Sequence, residues 1–226
     1  MAFASRVRHE ESQPPPRCVR IKYILDITSF ECSDNLATMH PFYHDVHQAF
    51  LAATKRSSED VAFFGPLNAL LSQHFPVGSG FIVVPRPVPI HCEDEQFVFT
   101  LEFDVQYHGK TVLVVLVKPA GTLQYSTCRR DADKQIRARF GNIYQECPVA
   151  DLHGLVFFGS KVAYYKINRD SGVWQPPRPM RADPNKIDLH PPESWWADDI
   201  LQDFEAERLL ERFGLILRSC RETDEA

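Results

Sequence analysis

The sequence predicts a mixed α/β (α+β) domain built on a central mixed sheet that contains a β-hairpin and is flanked by helices. Residues 97–118 alternate apolar and polar side chains, pass the turn pair His108–Gly109 and continue as a β-branched run, which is typical of a hairpin. The second arm, 111–117, is apolar on both faces, as expected of a central strand covered on both sides. Helical spacing of apolar residues before and after the hairpin supplies that cover.

Two helices and a short strand are predicted to precede the hairpin. Residues 41–54 open with a proline, which suits a first helical position, and their apolar spacing predicts a helix. A second helix is predicted from Ser57 or Ser58 onward, and Pro66 is expected to kink or split it. Residues 80–85 are predicted to form a short strand, followed by a proline-rich connection.

A helix, a second hairpin and a long terminal helix are predicted to follow. Residues 129–146 carry an apolar stripe at helical spacing, which predicts an amphipathic helix. Residues 152–167 hold the turn pair Gly159–Ser160 between apolar arms and predict a hairpin. A proline-rich stretch then leads to Ser194, which is predicted to cap a long amphipathic helix.

The composition indicates one intracellular domain preceded by a tail. Residues 1–20 have too little apolar surface to offset the entropy of ordering them, so we expect a flexible tail there and a single domain over 21–226. The six cysteines are far apart and form no C-x-x-C pair, which is typical of reduced thiols. No stretch reaches the roughly 18 apolar residues that a membrane helix needs. We therefore expect a cytoplasmic or nuclear protein with no membrane partner.

Charge is distributed unevenly along the chain. The net charge of −5 argues against a protein coated in positive charge for indiscriminate nucleic-acid binding. Residues 110–140 nevertheless contain seven Lys or Arg and only two Asp, whereas residues 193–226 contain ten Asp or Glu and four Arg. The basic middle of the chain is the region in which a DNA or RNA partner would be expected.

Four short motifs carry a resemblance to a known family. They read VLVVLVKP (112–119), RRDADKQIRARF (129–140), LHGLVFFGS (152–160) and WWADDIL (195–201). Together with the order helix, strand, hairpin, helix, strand, they resemble the PD-(D/E)XK nuclease superfamily and, more narrowly, uncharacterised fungal proteins of that type. The resemblance spans roughly residues 57–215 and implies a restriction-endonuclease-like core.

The resemblance implies a site in which acidic groups hold Mg²⁺ (or Mn²⁺) and a lysine assists the attacking water. Lys118 matches that lysine, but the position that should carry an acid is occupied by Leu116, which has no metal-binding group. Glu102 and Asp104 on the partner arm of the hairpin are the candidate replacements for catalysis and metal binding. Solvent exposure of a polar strand face explains the same two residues without any site.

Two further contributions are implied by the resemblance. Gln135, on the helix after the lysine strand, corresponds to a glutamine that relatives often place in the site. Glu59 or Asp60 corresponds to the acidic residue that the first helix supplies in many relatives, and Glu59 is the candidate metal ligand. A solvated helix face explains Gln135 equally well, and complementarity to the helix dipole explains the two acids.

The register of the hairpin decides whether the acids and the lysine can meet. A three-residue loop, 108–110, would pair Glu102 with Leu116 and place both acids and Lys118 on one face. A two-residue loop, 108–109, would pair Leu101 with Leu116 and turn both acids to the opposite face. The sequence leaves both registers open.

Three functions compete on these grounds. The first is metal-dependent phosphodiester hydrolysis, and the second is a catalytically inactive nuclease-like scaffold that binds nucleic acid or a protein. A third has the fold recruited to small-molecule chemistry, which a deep pocket lined by aromatic side chains would favour. Nucleic-acid contacts would come from five basic residues on the 129–146 helix, which otherwise only keep that helix soluble: Arg129, Arg130, Lys134, Arg137 and Arg139.

Overall fold

A mixed sheet forms the centre of the chain, as the hairpin pattern predicts. The computed structural model describes residues 41–56, 60–91, 97–179 and 190–225, all within a unit spanning Met39–Ala226. The predicted tail at 1–20 lies outside the described residues. The helices are α1 (Pro41–Arg56), α2 (Val61–His74), α3 (Ser126–Ile143) and α4 (Asp203–Asp224). The strands are β1 (Phe81–His91), β2 (Phe97–Tyr107), β3 (Lys110–Lys118), β4 (Asp151–Phe158), β5 (Lys161–Asn168), β6 (Trp174–Gln175) and β7 (Asp198–Asp199).

The described strands form one sheet in the order β1-β2-β3-β4-β5-β6, with β7 also paired to β5. Strands β3 and β4 are parallel and are joined through α3, whereas every other described pair is antiparallel. Strand β3 lies between β2 and β4, and its residues 112–117 are buried, which confirms the prediction of a central strand. Both predicted hairpins are confirmed.

Helices cover both faces of this sheet. Helix α3 packs on one face, where Ile136 and Phe140 lie so close to Gly154 that a β-carbon there would collide with the Phe140 ring. Helix α2 covers the other face, where Phe64 makes an edge-to-face contact with Phe103. None of the described helices has the length and apolar character that a membrane crossing requires.

The proline-rich segment after residue 85 is a strand and not the predicted connection. Strand β1 continues through Pro85, Pro87 and Pro89 and pairs with β2 along its whole length. It is an edge strand, and the three prolines occupy alternate positions. The missing N–H groups of alternate residues fall on the same side of the strand, so all three can face the open edge without removing a bond to β2.

Pro66 does not split the second helix, because α2 runs from Val61 to His74 as one helix. Pro66 is the sixth residue of α2, so its ring removes only one early backbone bond while its fixed φ fits the helix. Asp60 caps the helix, its carboxylate accepting a hydrogen bond from the Val61 amide at 2.9 Å. The start predicted at 57 or 58 falls at residues outside the described ranges.

The prediction that Ser194 caps the terminal helix is also wrong. Glu193–Trp196 form a 3-10 turn, and α4 begins only at Asp203. Trp196 is buried and its indole N–H donates to the Val156 carbonyl at 2.9 Å. This contact holds the tryptophan segment against the sheet, and the chain makes the short strand β7 before the helix starts.

Candidate functional site

The hairpin between β2 and β3 has a register that brings the predicted site residues together. Its loop is the two-residue turn His108–Gly109, and both residues have positive φ (47° and 80°), as the tight hairpin turn requires. Gln106 pairs with Thr111 but Val105 pairs with Leu113, so Val112 is an extra, bulged residue. The bulge shifts the pairing by one residue.

As a result, Glu102 lies opposite Leu116 and Asp104 lies opposite Val114. This is the pairing that a three-residue loop was expected to give, although the loop has two residues. Glu102 and Asp104 therefore share the α3 face of the sheet with Lys118. They are not a solvated strand face, because Glu102 is only 3% exposed and Asp104 is 0% exposed.

Lys118, Gln135 and Glu102 form a hydrogen-bonded chain on this face. The Lys118 ammonium donates to Gln135 Oε1 at 2.5 Å, and Gln135 Nε2 donates to Glu102 Oε1 at 2.9 Å. The amide group thus stands between a cation and an anion and satisfies both. Gln135 is at the position that the sequence pattern indicates, and the structure brings it into contact with both predicted partners.

Asp104 is held by two arginines beside this chain. Arg139 on α3 donates to Asp104 Oδ2 at 2.6 Å, and Arg86 on β1 donates to the same oxygen at 2.9 Å. Arg139 Nε also lies 3.7 Å from Glu102 Oε2, which joins the two groups into one network. We call these six residues the Lys118 cluster: Arg86, Glu102, Asp104, Lys118, Gln135 and Arg139.

Charge around the Lys118 amine is mainly negative. Burial lowers the pKa of Lys118. The charges that oppose this shift come from Asp60, Glu102 and Asp131. Asp60 at the start of α2 is therefore close enough to Lys118 to act on it, whereas Glu59 lies outside the described residues.

The arrangement does not offer an open set of ligands for a hard cation. Mg²⁺ and Mn²⁺ bind through carboxylate oxygens and water, and Asp104 Oδ2 already accepts bonds from two guanidinium groups. Glu102 accepts from Gln135 and faces Arg139. Within the described ranges, no group of three or more His, Cys, Asp or Glu residues is placed to hold a metal ion.

The basic residues predicted to contact nucleic acid are separated by the fold. Arg129 is buried and donates to the carbonyl groups of Leu123 and Pro191, at 2.6 Å and 3.0 Å. Arg137 is buried in a two-bond pair with Asp133. Arg139 belongs to the Lys118 cluster, so only Arg130 and Lys134 remain on the surface of α3. Arg130 Nε lies 3.4 Å from Asp131, so even this cation has an adjacent carboxylate.

One member of the cluster was not predicted from the sequence. Arg86 lies between prolines in a segment that was expected to be a connection, so its contact with a buried acid was not predicted. The sequence signal that could have placed it is the alternation of proline with other residues over 85–89, which is compatible with an edge strand. In that strand Arg86 pairs with Glu102. Its side chain is 48% exposed and reaches Asp104 from the edge strand.

Comparison with known proteins gives no match. No family model, no curated protein and no solved structure matches the chain.

Proposed function

We propose that this chain is a PD-(D/E)XK-like domain that has exchanged metal-dependent catalysis for an internal ion-pair network and binds a protein partner. Support for the nuclease-like core comes from the order α2, β1, β2, β3, α3, β4, with β3 and β4 parallel. This is the helix, strand, hairpin, helix, strand order on which the resemblance rests. The contact between Lys118 and Gln135 is the second support.

The observation that carries the loss of catalysis is the position of Asp104 between Arg86 and Arg139. A nuclease of this type requires carboxylates that accept a cation from solvent, and the cationic partners here are part of the protein. A metal ion that took Asp104 Oδ2 as a ligand would have to displace Arg139, leaving a guanidinium group with 17% exposure without its carboxylate. Breaking such a buried pair costs about 3–5 kcal/mol. Leu116 removes the remaining acid of the motif.

The distribution of charge favours a protein over a nucleic acid as the partner. A polyanion is bound through several free Lys or Arg side chains, each of which releases counterions from the phosphates. Arg129, Arg137 and Arg139 are instead bonded to groups inside the fold. Asp60 and Asp131 add negative charge beside Lys118, which repels a phosphate from the only lysine of the cluster.

A surface suited to a protein partner is present on α4. Phe204 is 66% exposed, and the Arg208 guanidinium lies 5.9 Å from the centre of its ring. Aromatic and arginine side chains are enriched among the residues that dominate protein–protein binding. Their spacing of four residues places them on the same side of the helix.

Incubation of the purified chain with Mg²⁺ or Mn²⁺ and labelled single- and double-stranded DNA and RNA tests the proposal. We expect no cleavage and no salt-dependent binding. Cleavage that disappears in Lys118→Ala would overturn the loss of catalysis, and salt-dependent binding of either nucleic acid would overturn the choice of partner.

Affinity capture tests the protein partner directly. A protein retained by the wild-type chain should be lost with Phe204→Glu and kept with Val77→Glu, since Val77 is similarly exposed, at 74%, but belongs to the 3-10 turn Val77–Ser79 and not to α4. Retention of no protein, or equal retention by both variants, would contradict this part of the proposal.

A further inference from the structure

A cleft lies at the side of the sheet where α4 passes β5, at the far end of the strands from Lys118. Its volume is about 450 Å³, within the roughly 300–1,000 Å³ of small-molecule sites. Apolar side chains such as Leu113, Leu155 and Ile216 form much of its lining, and Tyr164, Tyr165 and Trp195 add aromatic surface. None of its lining residues belongs to the Lys118 cluster.

The lining carries cations but no carboxylate. Lys166 and Arg212 both face the cleft. Lys166 is already neutralised by Asp151, whose carboxylate oxygen lies 2.8 Å from the Lys166 ammonium. The third basic group is His153, and burial lowers its pKa to about 4, so it is uncharged near neutral pH.

Arg212 is therefore the one lining cation without a carboxylate partner among the described residues. Its guanidinium group stacks on the Tyr164 ring, 3.8 Å from the ring centre. Its Nε is buried and has no hydrogen-bond partner within the described part of the chain. A buried N–H without an acceptor carries a desolvation cost, and this cost is larger when the group is charged. An anion is therefore the complementary ligand.

We propose that this cleft binds a small organic carboxylate with an apolar body, its carboxylate accepting hydrogen bonds from Arg212 and its body lying against the apolar and aromatic walls. A single uncompensated cation matches a single negative charge. A phosphate monoester carries close to two charges at neutral pH and would leave one of them unpaired in the cleft. The site is independent of the proposed loss of nuclease activity.

Displacement of a fluorescent probe tests the proposal with the full chain. The probe is 8-anilinonaphthalene-1-sulfonate, an aromatic monoanion, and the competitors are octanoate, octyl phosphate and octanol. We expect saturable binding of one probe molecule and displacement by octanoate at a concentration at least about 10-fold below that of octanol, as a charge-assisted hydrogen bond provides. Octyl phosphate should compete less well than octanoate.

Three variants assign the effect to Arg212. Arg212→Gln should weaken octanoate at least about 10-fold and leave octanol unchanged, because only the carboxylate contact is lost. Arg218→Gln, an exposed arginine on the same helix, is the matched control and should leave both unchanged. Leu215→Glu changes a residue that is 52% exposed at the cleft, so it should fold normally and still repel octanoate.

Several outcomes would overturn the proposal. These are absence of saturable probe binding, equal competition by octanoate and octanol, and octyl phosphate competing better than octanoate. Octanoate affinity that is unchanged in a folded Arg212→Gln variant, or unchanged in Leu215→Glu, would overturn it as well. Near-ultraviolet circular dichroism of each variant separates a lost contact from a lost fold.

Discussion

Replacing Arg139 by methionine is expected to lower the free energy of unfolding by about 3 kcal/mol, the lower end of the range for breaking a buried ion pair. Asp104 is fully buried. Of the two arginine hydrogen bonds that its Oδ2 accepts, the one from Arg139 is the shorter, at 2.6 Å. The lower end applies because Arg86 still reaches the same oxygen after the substitution. Methionine keeps the apolar packing of the arginine stem, so the loss reports the charge.

Arg86→Met is the matched control. The Arg86 side chain is 48% exposed, so its pair with Asp104 is partly screened by solvent and should be worth about 1 kcal/mol or less. The double variant Asp104→Leu/Arg139→Met should be closer in stability to the wild type than Arg139→Met alone, because it leaves no buried charge without a partner.

Urea unfolding followed by circular dichroism measures these differences. With a slope of about 2–3 kcal/mol/M, the Arg139→Met midpoint should fall by about 1 M or more while the slope stays unchanged. A loss for Arg139→Met below about 1 kcal/mol, or no larger than that of Arg86→Met, would refute the claim that a buried pair holds this face together.

Four further variants test other parts of the fold. Because burial lowers the pKa of His153 to about 4, the unfolded chain takes up this proton first, so the wild type should lose up to about 3 kcal/mol as pH falls from about 6.5 to 4. The free energy of unfolding of His153→Gln should fall correspondingly less over the same pH range, measured by urea unfolding. Gly154→Ala should cost about 1–3 kcal/mol by overpacking, since its β-carbon would lie 2.6 Å from the Phe140 ring. Gly141→Ala is the control, a helical site with no atom within 4 Å of the added carbon, and it should be neutral or stabilising in the same urea-unfolding measurement. For Lys118, whose pKa is lowered by burial, the penalty for burying the charge disappears as pH rises from the lowered pKa to its ordinary value. The free energy of unfolding of Lys118→Met relative to the wild type should therefore be highest below that pH window and lowest above it. A difference in unfolding free energy that does not change with pH would contradict this.

The central hairpin and the helix after it could be predicted because their signals are local. A short β-branched run that is apolar on both faces and follows a turn pair is typical of a covered strand, and β3 is one. The apolar stripe that packs α3 on the sheet was also visible, and Ile136 and Phe140 are fully buried. Lys118 and Gln135 could be placed in one site because a motif fixed both positions.

The rest depended on contacts that the sequence does not display. The bulge at Val112 gives a two-residue turn the register expected of a longer loop, and neither alternative foresaw it. The identity of a basic residue on a helix does not reveal whether its side chain is buried or exposed, so the sequence did not distinguish Arg129 and Arg137 from Arg130. The start of α4 was missed because the Trp196 contact with the sheet is tertiary.

We propose that Arg86 and Arg139 neutralise Glu102 and Asp104 where the family resemblance implies a metal ion. Calorimetric titration with Mn²⁺ measures whether these carboxylates are still open to a cation. We expect no saturable binding at millimolar Mn²⁺ by the wild-type chain. Stoichiometric binding that is lost in both Glu102→Gln and Asp104→Asn would contradict it, because those carboxylates would then be open to a cation despite Arg86 and Arg139.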